Sequence, residues 1–188
     1  MTRIAGVSCV IALLVIAAVS VVWATEVEYV SPRQMGDESA LVVRGKVASV
    51  RSFWNDAHTK IFTEAVIRVD ETYKGQAAGE ARVLQMGGVV DKMQMHVYGS
   101  VIWHDGEEVL LFLDRLDADR YRVAGFSQGK FDIERDPVTG EPFIRRPSEE
   151  GVEITGAPPG QGEGPLAVST RVPLGEFVKY TLGQRQGG

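Results

Sequence analysis

The chain has 188 residues and a formal net charge of −5; 44% of its residues are hydrophobic and 24% charged. That balance suits a globular protein and excludes a mainly disordered chain, a collagen and a multi-pass membrane protein. With one cysteine there is no internal disulfide.

Met1, Thr2 and Arg3 give a short positive start, and residues 4–22 are uncharged and almost entirely apolar. Val22-Trp23-Ala24 then sets small residues at the −3 and −1 positions of a signal-peptidase site. Residues 1–24 are therefore expected to be a signal peptide cleaved after Ala24. The apolar run also approaches the roughly 20 residues that span a bilayer, so an uncleaved anchor is the alternative. Membrane contact is expected only if residues 4–22 remain as that anchor. Either way Arg3 stays on the cytoplasmic side and residues 25–188 lie outside the cytoplasm, periplasmic or secreted. Cys9 sits near the start of the apolar run rather than after it, which argues against lipid attachment. Its removal leaves no thiol for a nucleophile, a thiolate metal site or a disulfide. Without Arg3 the remaining chain carries −6, a poor match for nucleic acid, whose binding rests on phosphate neutralisation.

Residues 31–39 predict a short helix. Ser31 caps it, Pro32 suits the first turn and Gln34 completes a capping box. From Ala40 to Phe131 strand follows strand. Residues 41–54 are rich in β-branched and aromatic side chains, with Gly45 marking a bulge or bend. Residues 60–73 alternate: Ile61, Thr63, Ala65, Ile67 and Val69 face one way, and Glu64, Arg68 and Asp70 the other. Phe62 and Val66 are the exceptions. A shorter strand covers 80–86, and Gly87-Gly88 breaks it. Residues 89–104 read as a loose hairpin or a lid-like loop. After the Asp105-Gly106 turn, 107–114 is the most apolar stretch and predicts a central strand. Further strands follow at 120–126, 130–135 and 141–146, the last two a hairpin around Asp136-Pro137-Val138-Thr139-Gly140.

Residues 147–170 are dense in glycine, proline and glutamate and predict a flexible connector. In the last segment, 171–188, Leu174, Phe177, Val178 and Leu182 share one helical face, with Pro173 opening the helix and Gly183 closing it. The expected organisation is a signal segment at 1–24, a β domain at 25–146, a connector at 147–170 and a C-terminal helix at 171–188. The strand lengths, with an irregular insert after the third strand, fit a mainly β protein: a small OB-like β-barrel with an extra hairpin, a short N-terminal helix and a C-terminal helix. A jelly roll or small sandwich is the alternative.

Several phrases carry a resemblance: Val43-Arg44-Gly45-Lys46-Val47, Val69-Asp70-Glu71-Thr72-Tyr73-Lys74-Gly75, Gly87-Gly88, Gly106-Glu107, Leu111-Phe112-Leu113 and Ser127-Gln128-Gly129-Lys130-Phe131. Over about residues 40–146 the chain resembles a family of uncharacterised exported bacterial proteins. Their barrel is similar to that of tissue inhibitors of metalloproteinases and netrin modules. The resemblance implies an OB-like fold and a protein-binding role. The animal inhibitors place an N-terminal cysteine on the catalytic zinc; Thr25, the expected mature terminus, offers no thiol, so that mechanism does not carry over.

Chemistry-bearing residues are sparse. His58, His96 and His104 lack metal-ligand spacing such as HxxxH, and a metal-assisted hydrolase using them is the runner-up reading. Glu107 and Glu108 alternate across a strand and cannot act as an acid–base pair. Ser127 lies outside a GxSxG elbow. Asp132, Asp136 and Glu141 lack the EF-hand order. Met86, Met93, Met95, Tyr98, Ile102 and Trp103 gather in 86–103, and such residues either fill a barrel mouth or form an adaptable binding surface. The expected function is a non-enzymatic exported binding domain that requires no cofactor or metal. Its candidate binding residues are Trp54, His58, Met93, Met95, Tyr98 and Trp103, and its partner an exported or envelope protein, an extracytoplasmic protease among the candidates. An anchored structural surface protein is a third reading.

Overall fold

The computed structural model describes residues 25–77, 79–145, 152–155 and 171–183. The expected signal segment lies outside the described residues. The elements are β1 (Thr25–Glu28), α1 (Pro32–Glu38), β2 (Leu41–Trp54), β3 (Ile61–Lys74), β4 (Glu80–Met86), β5 (Gly88–Val90), β6 (Met93–Met95), β7 (Glu108–Arg115), β8 (Arg120–Val123), β9 (Lys130–Arg135), β10 (Pro142–Arg145), β11 (Val152–Thr155), β12 (Val172–Pro173) and α2 (Leu174–Leu182).

Five strands close a barrel in the order β7-β2-β3-β4-β8 and back to β7. All neighbours are antiparallel except β4 and β8, which run parallel. This is an OB-like barrel, and β9, β10 and β12 extend the sheet outside it. The long β2 serves two partners, β3 along its whole length and β7 along its first half. Register shifts at Val42/Val43, Arg44/Gly45 and Val47/Ser49 bend it, as bulges do, so the glycine expected to mark a bend sits at one.

β7 is where the barrel forks. Its first half, Val109–Leu111, pairs with β9, and its last three residues, Leu113–Arg115, pair with β8. At the fork Phe112 N–H donates to the Gly129 carbonyl, and the Phe112 carbonyl accepts from Ala124 N–H. A Cβ on Gly129 would lie 2.8 Å from the Phe112 oxygen and 2.9 Å from the Ala124 oxygen, so only glycine fits there. The position of β7 also explains its unbroken apolar run. Val109, Leu111 and Leu113 point into the barrel with Val43, Ile67 and Val83. Leu110 and Phe112 point outward into a second core with Met35, Phe131, Ile144 and Phe177. Phe112, Phe131 and Phe177 meet there with ring centroids 4.8–6.3 Å apart, within the range of favourable aromatic pairs.

The two helices cover that second core. Ser31 caps α1 by accepting from Gln34 N–H at 3.1 Å. The capping box is only half formed: the Gln34 amide donates to Glu38 at 3.0 Å instead of reaching back. Lys74 closes the other end of α1, its ammonium donating to the carbonyls of Gly36 and Asp37. A cation at a helix C-terminus is favourable for the same reason that orphan carbonyls need donors there. α2 begins after Pro173 and ends at Gly183, where φ is +68°. The stretch read as a connector contains β11, which pairs in parallel with β1. No helix among the described residues is long and apolar enough to cross a membrane.

Candidate functional site

The insert between β4 and β7 is tied down at both ends. At its start Gly87 N–H donates to the Ile61 carbonyl, and the Thr63 hydroxyl donates to the Gly87 carbonyl at 2.7 Å. Gly88, at φ +135°, lies against Ser52 and Thr63, and any side chain there would collide with both hydroxyls. At its end Val47 N–H of β2 donates to the Glu107 carbonyl, the Val47 carbonyl accepts from Gly106 N–H, and His104 N–H donates to the Glu107 carboxylate. Lys130, almost fully buried, bonds Glu107 at 3.1 Å and Asp132 at 2.6 Å, with its ammonium 5.8 Å from the Trp103 ring centroid. Paired burial of this kind is what a lysine inside a protein requires.

Between those anchors the hairpin, one of the two forms open to this stretch, covers residues 88–95. β5 and β6 pair antiparallel around Asp91-Lys92. Val90 and Met93 are cross-strand partners, while Val89 faces the other way opposite Gln94, so the hairpin carries exposed apolar groups on both sides. Residues 96–107 follow without regular structure.

The residues expected to bind do not share one environment. Met93 and Tyr98 are exposed, at 59% and 54%. Met95 is half-buried beside Gly88 in the hairpin register. Trp54 is half-buried at the end of β2 and stacks with exposed His58, ring centroids 6.2 Å apart; the register of β2 with β3 sets them at the barrel end from which β5 leaves. Trp103 requires a correction. It is a core residue, 9% exposed, inside the barrel cluster with Val101 and Val109. Its indole N–H donates to the Gln85 amide oxygen at 3.2 Å, and the Gln85 amide nitrogen donates to the Val101 carbonyl at 2.7 Å. Of the two fates open to this apolar cluster, Trp103 takes barrel filling, because an indole buried with its N–H satisfied is stable there.

The structure adds a cavity that the sequence reading missed. β4 and β8 are paired at only two positions, Arg82 with Arg120 and Val83 with Tyr121. Beyond them the strands part, and a cavity of about 470 Å³ opens in the gap. Its lining mixes both faces of the barrel wall. Phe62, Leu84, Met86 and Arg122 belong to the outward set; Gln85, Val101 and Val123 belong with the interior. Leu116 and Phe126 complete the rim. Phe126 is 59% exposed with φ +65°, a conformation that costs a bulky residue roughly 1–3 kcal/mol and concentrates at functional sites. The cavity touches the second and third barrel strands and the loop joining the last two, the region where OB barrels take their ligands. Of the two exceptions to the alternation of β3, Phe62 lines the cavity and Val66 does not.

The electrostatics near the rim are local. Asp114 faces Arg122 across β7 and β8 with Oδ2 3.6 Å from Nε. The Arg120 guanidinium, bonded to the Asp117 side chain at 2.7 Å, holds that carboxyl below its usual range, assisted by Asp119 N–H. Farther away, burial pushes the Tyr73 phenol up, and its bond to Glu71 adds to the effect. His58 stacks on Trp54 and His96 meets Tyr98 edge-on at 4.6 Å. Among the described residues no three His, Cys, Asp or Glu side chains converge as a metal-holding group. Ser127 falls in the turn between β8 and β9, and Glu107 is engaged by Lys130 while Glu108 bonds Arg44 and Arg135.

The chain matches no protein-family model and no curated protein.

Proposed function

We propose that the protein is an exported, non-enzymatic binding domain that takes an exported or envelope protein on the hairpin β5–β6 and residues 97–102. The observation that carries this reading is the distribution of exposed apolar groups. Among the described residues eight large hydrophobic side chains are exposed, and all but Val138 lie on the insert or the neighbouring cavity rim. Ile102 is 73% exposed although both its neighbours, Val101 and Trp103, are buried. Concentrated apolar exposure on a segment with fixed ends is the form of an interaction surface. The resemblance to netrin-type barrels supports the same reading, and export rests on the pattern in residues 1–24.

The test is capture from the exported fraction of the source cells with the protein expressed from its full chain and tagged at the C-terminus. We expect one specific protein to be retained, and retention to fall about tenfold or more in a Met93→Ala, Ile102→Ala double variant whose thermal unfolding is unchanged. Capture that is blank, or that ignores the double variant, overturns the assignment.

A further inference from the structure

We propose that the cavity between β4 and β8 binds an amphipathic carboxylate, with its apolar chain against Phe62, Leu84 and Val123 and its head group on Arg122. This goes beyond the protein-binding reading and does not depend on it.

The volume, about 470 Å³, lies within the roughly 300–1,000 Å³ typical of small-molecule sites, and the lining is mostly apolar. Its shape follows from the fold. Two ladder pairs between β4 and β8 suffice to close the barrel, and the parting beyond them leaves space that reaches from the outer face to the interior. Side chains of the insert cover one side without filling the gap.

The head group follows from which polar atoms remain unused. The Gln85 amide is engaged at both ends, by Val101 and Trp103. The Ser100 hydroxyl donates to the Val97 carbonyl at 2.8 Å. What remains in the lining is the Asp114–Arg122 pair. Asp114 faces the Nε of Arg122 at 3.6 Å, and among the described residues no hydrogen bond engages the two terminal guanidinium nitrogens. A guanidinium is a planar fork that matches a carboxylate with two parallel N–H bonds, and it accepts nothing. With Asp114 at the Nε edge, the terminal edge is the part left for a ligand. A neutral chain would leave that edge unused.

The test uses the protein expressed from the full chain and purified as exported, titrated calorimetrically with sodium decanoate below its micelle concentration. Decan-1-ol and decyltrimethylammonium are the comparison probes. We expect one decanoate per chain, bound at least about tenfold more tightly than either comparison probe. Arg122→Gln should weaken decanoate about tenfold and leave decanol unchanged; Arg122→Lys, which keeps the charge but loses the fork, should fall between. Met86→Trp, at an exposed rim position, should block all binding by filling the space. Met93→Ala, on the hairpin and outside the cavity lining, should change nothing. No decanoate binding, equal binding of all three probes, or an unaffected Arg122→Gln overturns the proposal.

Discussion

Trp103 and Phe62 show how far a single side chain can be read from its neighbours in sequence. Trp103 stands in a segment rich in methionine and aromatics, which suits either a surface or a core. The structure gives it to the core through one partner, Gln85, eighteen residues away. Trp103→Ala should therefore cost about 3–5 kcal/mol, the range for removing a buried aromatic, and leave the Gln85 oxygen without its donor. A urea unfolding curve measures it; a loss under about 1 kcal/mol would place the ring outside the core. Phe62 presents the opposite case, a large apolar group on the outward face of an alternating strand, where it stacks on its cross-strand partner Phe53 with ring centroids 6.5 Å apart and lines the cavity. At the β9–β10 turn, Asp136 accepts from Thr139 N–H and Val138 N–H and pairs with Arg171 at 2.9 Å. Those bonds, Thr139 first, hold its carboxyl below the usual range. A depressed folded pKa gives stability that is present above the ordinary carboxylate value and lost as pH falls through the folded one. The protein should accordingly be more stable than Asp136→Asn at pH 7, with the gap closing toward about pH 2, as read from urea midpoints at both pH values.

At the scale of elements, most boundaries were legible because each has a local chemical cause. β2, β3 and β4 fall within a residue of the expected spans, and α2 ends at the glycine chosen for it. The insert was not legible, since neither period two nor period 3.6 runs through residues 89–104. Its order comes from tertiary anchors instead: Gly87 on Ile61, Trp103 on Gln85 and Glu107 on Lys130. The N-terminal strand has the same dependence. Gln128, 1% exposed, donates to the Glu28 carbonyl at 2.8 Å and accepts from Val30 N–H at 3.0 Å, a hundred residues away in sequence. The chain at 28–30 is thus gripped, and β1 pairs with β11 beyond it. Gln128→Leu keeps the size and removes both bonds. It should cost about 1–3 kcal/mol and raise the hydrogen-exchange rate of the Val30 amide before that of β7; equal protection in both proteins would count against the clamp.

Across the whole molecule, two cores share one strand. β7 fills the barrel from one face and the helix-covered core from the other, so the most apolar stretch in the sequence became the strand buried on both sides. The alternation, the turn residues, the capping serine and the closing glycine are local properties, and they determined where the strands and the two helices begin and end. The exclusion of cysteine chemistry from residues 25–188 is likewise a property of composition alone. Tertiary structure decided where β4 and β8 part, which aromatic entered the barrel, and that Arg122 lies on the wall of a mostly apolar cavity. Those outcomes depend on pairing between strands about forty residues apart and on the packing of an insert with no period of its own. Pairing over such distances is fixed by the closed barrel as a whole, because each ladder position is set by its neighbours on both sides and by no short stretch of sequence.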